Sequence, residues 1–253
     1  MKHATLEKRM RDLEYFGDTR VLTETWSVVR VDGRSFSRLT EANFEKPFDA
    51  RFHEAMVAVS RALLQELSGI YAYTESDEIS VLLPREWRMF GGRVEKIVSV
   101  ASGLASSVFT HHGGVPAHFD ARVWLGPTDT SVVDYFRWRQ GDALRCSLNG
   151  WCYWTLRKAG QTKREATAAL EGRSFEDKRT LLAEHGVTLA DLPGWQRQGV
   201  GIYEETYKKT GFNPRLQREV WVVRRRLRVE PELPLGEEYA RFLRRLLAGK
   251  VQS

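Results

Sequence analysis

Two stretches, WSVVRVDGRSF at residues 26–36 and YAYTESDEISVLL at residues 71–83, decide how this chain folds. Each contains a run of apolar and β-branched residues that is typical of a buried strand. Asp32 ends the first run, and an acidic ESDE tip divides the second into a predicted hairpin with strands at 70–74 and 79–83. Acids from neighbouring strands can hold divalent cations together. This layout therefore predicts a metal-dependent nucleotidyl-transfer site.

Amphipathic helices accompany these strands. Apolar residues recur every three or four positions over 51–67 and again over 94–108, which predicts two helices with one buried face each. Residues 119–125 alternate between apolar and polar side chains, as a half-buried strand does. The order β, α, β, β, α, β predicts an α+β fold, a ferredoxin-like split βαβ unit with two helices on one face of an antiparallel sheet.

The flanking segments are mostly helical. Residues 5–16 predict a short helix that packs on the core, and residues 129–160 predict two aromatic-rich helices separated at Gly141. Two shorter helices are predicted within 162–186, and Ser174 suits the N-cap of the second of these.

The C-terminal part predicts a β-ribbon followed by a helix. Residues 200–207 are expected to pair with 219–229, and an apolar face indicates a last helix at 237–247. No linker separates independent pieces. We therefore expect a single catalytic domain over 1–253, with a core at approximately 20–130 and a helical and β-ribbon extension at 131–253.

Composition favours a polyanionic partner. The 39 Lys and Arg residues against 33 acids give a net charge of +6, which suits nucleic acid without proving it. Cys146 and Cys152 fit neither a CxxC redox pair nor a zinc site, so we expect a reduced, intracellular protein. The sequence shows no signal peptide and no run near the ~20 apolar residues of a membrane span. We expect a soluble cytoplasmic protein.

The acids at the strand ends are the candidate catalytic residues. Asp32 and Asp77 can meet if their strands are neighbours, and the absence of a side chain at Gly33 lets its carbonyl approach a Mg²⁺ ion. Glu78 points away from Asp77 in a regular strand, so we rank Asp77 first. The hydroxyl and amide of Ser76 are placed to contact a triphosphate. The alternative is that both motifs are ordinary solvated turns.

Basic and aromatic residues alternate in the helical region. Arg137, Trp138 and Arg139 precede aromatic residues at 151–154, and such mixtures bind single-stranded or terminal nucleotides. The alternative, which we favour for the later tryptophans, is a helix pair that buries its aromatic rings under arginine stems.

The ribbon carries a row of arginines. Arg224, Arg226 and Arg228 lie on one face of a predicted strand, where a phosphate backbone is a natural partner. A charged edge strand that resists aggregation explains the same row equally well. The histidines within 111–118 lack metal-ligand spacing, and we treat their proximity as chance.

A longer set of motifs resembles a known family. In chain order these are RVDGRSFSRLT, NFEKPFD, TESDE, FDARV, DYFRWRQGD, NGWCYWTL and FEDK. Over roughly residues 12–230 they resemble the tRNAHis guanylyltransferase family and its guanylyltransferase-like relatives, 3′-to-5′ polymerases that extend tRNA 5′ ends. The resemblance implies a polymerase-like palm, two Mg²⁺ ions, ATP or GTP for activation, tRNA as substrate and a homotetramer.

The resemblance also assigns residues. It implies that Asp32, Gly33 and Asp77 bind metal and that Glu78 is a further essential carboxylate. Nucleotide contacts are implied for Asp32, Gly33, Arg34, Ser35, Phe36, Ser37, Ser76 and Asp77. Lys46 and Asp49 are implied at a nucleotide or tRNA contact, and Lys178 near the activating triphosphate.

One departure concerns the exact reaction. The eukaryotic family members carry HINNLYN after the WRQ motif, whereas this chain has LRCSLNG, with Leu144 in place of the histidine. This difference favours template-dependent repair of 5′-truncated tRNA over addition of a single G to tRNAHis. Two readings of other classes stay open: a palm-fold nucleotidyl cyclase, which the arginine row argues against, and a non-catalytic RNA-binding module, which the paired acids argue against.

Overall fold

One antiparallel sheet organises the computed structural model, which describes residues 3–215 and 217–249. Its strands are β1 (Trp26–Gly33), β2 (Tyr71–Glu75), β3 (Glu78–Leu83), β4 (Phe119–Gly126), β5 (Val200–Asn213) and β6 (Arg218–Glu230). The strand order is β4-β1-β3-β2-β5-β6, and every pairing is antiparallel. The first four strands give the predicted split βαβ arrangement, and the α+β prediction is confirmed.

The helices lie on both faces of this sheet. They are α1 (His3–Arg11), α2 (Phe36–Asn43), α3 (Ala50–Glu66), α4 (Val94–Gly113), α5 (Asp129–Lys158), α6 (Lys163–Leu170), α7 (Phe175–Glu184), α8 (Gly194–Arg197) and α9 (Gly236–Leu247). No helix in the described ranges is long and apolar enough to cross a membrane.

Alternate residues of β1 feed two separate cores. Val29 and Val31 join α3 and α4 on one face of the sheet, where the predicted helix pair lies. Val28 joins α5 and α9 on the other face, in a core that also holds Phe136 and Tyr239. The prediction covered only the first face, because the periodicity of a strand shows which residues are buried but not which helices cover them.

The predicted break at Gly141 is wrong, because α5 runs unbroken for 30 residues. A glycine inside a helix costs only about 1 kcal/mol relative to alanine. Phe136 and Ala143, on either side of it, are both buried in the core shared with α9. Packing on both sides of Gly141 outweighs this cost. Ser174, by contrast, caps α7 as predicted, and its hydroxyl accepts a hydrogen bond from the Asp177 amide at 3.1 Å.

The ribbon is longer than predicted and is part of the main sheet. β5 pairs with β2 from Thr74↔Val200 to Tyr71↔Tyr203, so the ribbon extends the edge of the core. Its distal half carries exposed apolar residues, among them Phe212 and Trp221. The N-terminal segment also differs from the prediction of a packed helix, because the side chains of Leu6, Met10, Leu13 and Phe16 are exposed.

Candidate functional site

Asp32 and Asp77 come together where β1 meets the β2–β3 hairpin. The register places Asp32 opposite Glu78, and the Gly33 amide donates a hydrogen bond to the Asp77 carbonyl oxygen at 3.1 Å. Asp77 therefore lies beside the end of β1, as the sequence predicted. Asp32 shares the α5 side of the sheet with Arg122, whose Nη2 is 3.9 Å from Asp32 Oδ2. Asp77 lines a cavity between α2, α3 and the C-terminal half of α5.

The electrostatics of this pair favour a cation. Burial raises the pKa of Asp77, and the charge of Asp32 raises it further. The Ser76 hydroxyl opposes this shift by donating a hydrogen bond to Asp77 Oδ1 at 3.0 Å. Two carboxylates held this close destabilise each other's charge. A divalent ion between them would relieve that cost.

The available donors fit Mg²⁺. Asp32, Asp77 and the Gly33 carbonyl offer only oxygen atoms, which this hard cation prefers. Within the described ranges, no group of three or more His, Cys, Asp or Glu residues forms a complete ligand set. Mg²⁺ usually takes one or two carboxylates and completes its shell with water and substrate phosphates. An incomplete protein shell is therefore what a phosphate-dependent site requires.

Gly33 is required because there is no room for a side chain at this position. The turn does not need a positive φ at Gly33. It is the last residue of β1, and the left-handed residue of the following turn is Ser35, with φ 63°. A Cβ added at Gly33 would lie 2.4 Å from the Phe36 ring, closer than real Cβ contacts. The turn closes because the Phe36 ring packs directly over the Gly33 backbone.

A cavity of about 460 Å³ opens beside Asp77. Ligand pockets for small organic molecules fall in this size range. Its aromatic lining consists of Phe36, Phe44, Phe48, Phe52, His53, Tyr153, Trp154 and Trp195. Its polar lining consists of Ser37, Thr40, Glu41, Glu45, Lys46, Asp49, Thr74, Glu75, Ser76 and Asp77. The cavity combines flat apolar walls with a cation and hydroxyls at the end near Asp77, which suits a nucleotide.

Lys46 is the cation in this wall. Its Nζ donates to Thr40 Oγ1 at 2.5 Å and lies 5.8 Å from the centroid of the Trp154 ring. Burial lowers the pKa of Lys46, while the charges of Glu41 and Asp77 act in the opposite direction. The placement of Lys46 agrees with the expectation of a nucleotide contact.

The loop after Gly33 is exposed except at one residue. The side chains of Arg34, Ser35 and Ser37 face solvent, whereas Phe36 is buried against the core of α3 and α4. The Arg34 amide donates to the His118 carbonyl at 2.8 Å, which fixes the loop against the start of β4. Ser35 to Ser37 form the first turn of α2, where backbone amides favour an anion.

Asp49 has a structural task that the sequence did not reveal. It caps α3, accepting hydrogen bonds from the amides of Arg51 at 2.7 Å and Glu45 at 2.8 Å. The Arg51 guanidinium also donates to it at 2.8 Å. The Arg51 side chain and these amides lower the pKa of Asp49 to about 2. Asp49 also lines the cavity, but both of its oxygens already accept hydrogen bonds within its own loop, which gives the residue a structural role.

Asp49→Asn should therefore weaken the protein in a pH-dependent way. A depressed pKa contributes stability above the ordinary value of 3.8, and the contribution is lost as the pH falls toward 2. We expect the variant to lose about 1–2 kcal/mol of unfolding free energy at pH 7, and the difference to shrink below about pH 4. Urea unfolding at pH 7, 5 and 3.5 measures it.

Asp12→Asn is the matched control, because the Lys8–Asp12 pair at 2.9 Å is exposed and should contribute little. A stability deficit of Asp49→Asn that stays constant over this pH range would contradict the assignment.

Arg139 binds the acids that flank Asp77. Its Nε and Nη2 donate to Glu78 at 2.6 and 2.9 Å, and Nη2 also contacts Glu75 at 3.0 Å and Asp142 at 3.1 Å. Arg139 is only 5 % exposed, so the prediction that it contacts RNA is wrong. Burial raises the pKa of Glu78, and burial raises that of Glu75 to about 8. Glu78 turns away from Asp77, as strand alternation predicted, and anchors the hairpin to α5.

The arginine row of the ribbon is partly neutralised. Arg226 Nε donates to the buried Glu205 at 2.5 Å, and Arg228 pairs with Glu230 at 2.8 Å. Arg224 is exposed on the same face. The row therefore presents less free positive charge than the sequence suggests. Arg137 is exposed on α5.

Lys178 does not line the cavity. It lies half-buried on α7, and its carbonyl oxygen accepts a hydrogen bond from the Cys152 thiol of α5 at 3.4 Å. The structure thus brings Lys46, Ser76 and Asp77 together and leaves Lys178 on a neighbouring helix.

The cavity contains residues that the sequence did not single out. His53 stacks on Trp195 with ring centroids 4.3 Å apart, and burial lowers the pKa of His53. Trp154, for which we favoured a core role, lines the cavity wall. The sequence contained one signal for Trp195. A tryptophan in the Pro/Gly loop at 193–199 needs another side chain to pack against.

Comparison with known proteins places these residues in a family. The model of tRNAHis guanylyltransferase matches residues 7–127, and that of the Thg1 C terminal domain matches residues 130–229. A probable tRNA(His) guanylyltransferase of Dictyostelium discoideum is 34% identical over 217 residues, which are 79% of this chain and 85% of that protein.

Solved structures share the fold over almost the whole chain. A bacterial tRNA(His) guanylyltransferase (Thg1)-like protein in complex with ATP has 25% sequence identity and a TM-score of 0.73, covering 96% of this chain and 99% of that one. The bacterial Thg1-like protein in complex with GTP has 24% identity and a TM-score of 0.70, with the same coverage.

Proposed function

The chain belongs to the tRNAHis guanylyltransferase family, and we propose from that premise that it repairs 5′-truncated tRNA by template-dependent 3′-to-5′ addition of nucleotides. It is a nucleotidyltransferase that acts on the tRNA 5′ end with nucleoside triphosphates. One observation supports the proposal most directly: Asp77 lines an aromatic cavity of nucleotide size, and its carbonyl oxygen accepts a hydrogen bond from the amide of Gly33, the residue after Asp32.

Two Mg²⁺ ions are proposed at Asp32, Asp77 and the Gly33 carbonyl. When bound, such ions neutralise charge on the reacting phosphoryl oxygens. The protein's own contribution is positional. The register between β1 and β3 sets the distance between the two acids, and Ser76 orients Asp77. Arg139 holds Glu78, which is opposite Asp32 in the register, with two hydrogen bonds.

A nucleotide is proposed in the cavity, with its base between the aromatic walls. Its phosphates would then extend past Lys46 toward the Ser35 to Ser37 turn and Asp77. Lys46 supplies a positive charge at the end of the cavity that lies next to the acids. The assignments of Arg34 and Lys178 as triphosphate contacts rest on the resemblance to the family.

The proposed reaction extends an activated 5′ end. In the first step an oxygen of the tRNA 5′-monophosphate attacks the α-phosphorus of ATP or GTP, and pyrophosphate leaves. In the second step the 3′-hydroxyl of an incoming nucleotide attacks the activated 5′ phosphorus, and the activating nucleoside monophosphate leaves. Leu144 favours the templated form of this reaction, because its side chain offers no hydrogen bond where the eukaryotic motif has a histidine. The curated relative's name favours a second candidate, addition of one G to tRNAHis.

The experiment uses a tRNA that lacks its first 5′ nucleotide. Four versions carry different bases in the 3′ strand opposite the gap, and each is incubated with Mg²⁺ and all four nucleoside triphosphates. We expect each product to gain the complementary nucleotide, because base pairing selects it. A G added to every version, or addition only to full-length tRNAHis, would overturn templated repair in favour of the second candidate.

Two further outcomes would reject the reaction itself. A cyclic nucleotide formed without RNA would indicate a nucleotidyl cyclase. RNA binding without any product would indicate a binding module. Asp77→Asn is the negative control for each arm, since it changes one atom of the proposed metal site.

The remaining proposals concern the RNA-binding surface, the domain organisation and the oligomeric state. We propose that Arg137, Arg224, Arg226 and Arg228 contact the tRNA backbone and that residues 1–253 work as one catalytic domain. A homotetramer is proposed, and the exposed side chains of Leu13 and Phe16 are compatible with subunit contacts. The cytoplasmic location stays a prediction of the sequence.

A further inference from the structure

Trp138 is unusually exposed for a tryptophan beside a buried network. It lies on α5 with 55% of its surface accessible, one residue before the buried Arg139. The ring meets Tyr135 edge-on at 5.8 Å, and the guanidinium of Arg139 lies 4.6 Å from its centroid. The two faces of an indole make up most of its surface. More than half of the surface of this residue is therefore open to a partner.

Arg30 lies next to this ring, and Arg122 lies beside Arg30 on the neighbouring strand. The Arg30 guanidinium is 5.6 Å from the Trp138 centroid, and its buried Nε has no hydrogen-bond acceptor among the described residues. Glu78 Oε2 is 3.8 Å away, beyond hydrogen-bond distance. On the neighbouring strand Arg122 is directly opposite Arg30 in the register, and its Nη2 donates to the exposed Asp120 at 2.8 Å. An unsatisfied donor beside an exposed aromatic ring points to a ligand with an acceptor and a flat face.

These residues share the sheet face that carries Asp32. Arg30 and Asp32 alternate along β1 toward α5, and Arg122 lies 3.9 Å from Asp32. The cavity lies elsewhere, because its lining includes Asp77 but none of Asp32, Arg30 or Trp138. The two acids therefore stand between two separate binding regions.

We propose that Trp138, Arg30 and Arg122 form the docking site of the RNA 5′ terminus, with the terminal base stacked on Trp138 and its phosphate held by the two arginines. The inference rests on the proposed function, since it assigns the second substrate of that reaction. The activated 5′ phosphorus must lie next to the acids while the incoming nucleotide occupies the cavity. The sheet face that carries Trp138 gives the RNA a second route to Asp32. This face has the aromatic and cationic groups that a terminal nucleotide needs.

The test places 2-aminopurine, a base whose fluorescence falls on stacking, at the 5′ end of the truncated tRNA. Binding is measured without nucleoside triphosphates, so that the change in fluorescence reports RNA binding alone. We expect quenching on the wild-type protein and its loss with Trp138→Ala, while Trp138→Phe keeps most of it. Phe175→Ala is the matched control, because it removes an aromatic ring on α7 that is 49% exposed and outside the site.

Kinetics give a second measurement. Trp138→Ala should raise the KM for truncated tRNA by about 10- to 100-fold, the range that removal of one base-stacking partner gives. The affinity for GTP without RNA, measured by equilibrium dialysis, should stay within about twofold of the wild type. Arg122→Gln should reduce the salt dependence of RNA binding by about one unit of slope, as loss of one phosphate contact does.

The outcomes separate the inference from the function. If wild-type protein extends the RNA and Trp138→Ala keeps both the quenching and the KM, the docking site is wrong and the function stands. If Trp138→Ala loses GTP affinity instead, the ring stacks on the nucleotide and the inference is overturned. If the wild type extends no RNA, the proposed function fails first.

Discussion

Asp32→Asn and Asp77→Asn are each expected to reduce nucleotide addition by at least about 1000-fold, equivalent to about 4 kcal/mol of transition-state stabilisation. Both acids are proposed to bridge the same pair of ions, so the loss of either disables both. The amide keeps the size of the side chain and removes its charge. Single-turnover extension of truncated tRNA measures the effect without interference from product release.

The stability of these variants distinguishes a lost site from a lost fold. Burial and the charge of Asp32 already raise the pKa of Asp77, so Asp77→Asn removes an unfavourable charge. We expect its melting temperature, measured without Mg²⁺, to equal or exceed that of the wild type. Asp134→Asn, an exposed position on α5, should keep activity within about twofold. More than a tenth of wild-type activity in either site variant would refute the assignment.

Gly33→Ala should damage both stability and activity through one contact. The added Cβ would lie 2.4 Å from the Phe36 ring, which itself packs on Phe109 and Phe119 with centroids 5.0 and 4.8 Å away. The ring cannot move without disturbing that cluster. Overpacking of this kind costs about 1–3 kcal/mol, which urea unfolding detects. Because Asp32 precedes Gly33, we also expect activity to fall by about 100-fold or more.

A double-mutant cycle identifies the cause. Phe36→Leu shortens the obstructing side chain, so the pair Gly33→Ala and Phe36→Leu should recover part of the loss that Gly33→Ala produces alone. Gly103→Ala, on α4 with nothing within 4 Å of the added Cβ, should be neutral or stabilising. Additive losses in the double variant would show that Phe36 is not the reason that Gly33 is required.

The sequence predicted the central site because that site depends on local patterns. The strand runs around Asp32 and Asp77 are short and apolar. The hairpin pairs β2 with β3, and the β, α, β, β, α, β order predicted that β1 lies beside β3. Glu78 illustrates the same point, since simple alternation predicted that it turns away from Asp77. Predictions of this kind need only the two-residue period of a strand.

Residues whose roles depend on distant partners were not predictable. In the sequence, Arg139 is one of several arginines in a basic helix. Only its contacts with Glu75 and Glu78, more than 60 positions away, show that it is buried. The resemblance placed Asp49 at a substrate contact, and its role as a cap of α3 was not predicted because that role depends on the geometry of its own loop. The continuity of α5 across Gly141 likewise depends on the core beneath it.

The hydrogen bonds between β5 and β2 limit how this protein can be dissected. A fragment that ends before residue 200 would keep Asp32, Asp77 and most of the cavity but would leave β2 as an open sheet edge. It would also uncover Tyr71 and Tyr73, which are now almost completely buried beneath the C-terminal part. Such an edge invites aggregation. Any minimal active version must therefore retain the C-terminal ribbon, even though the candidate metal ligands all lie in the first 80 residues.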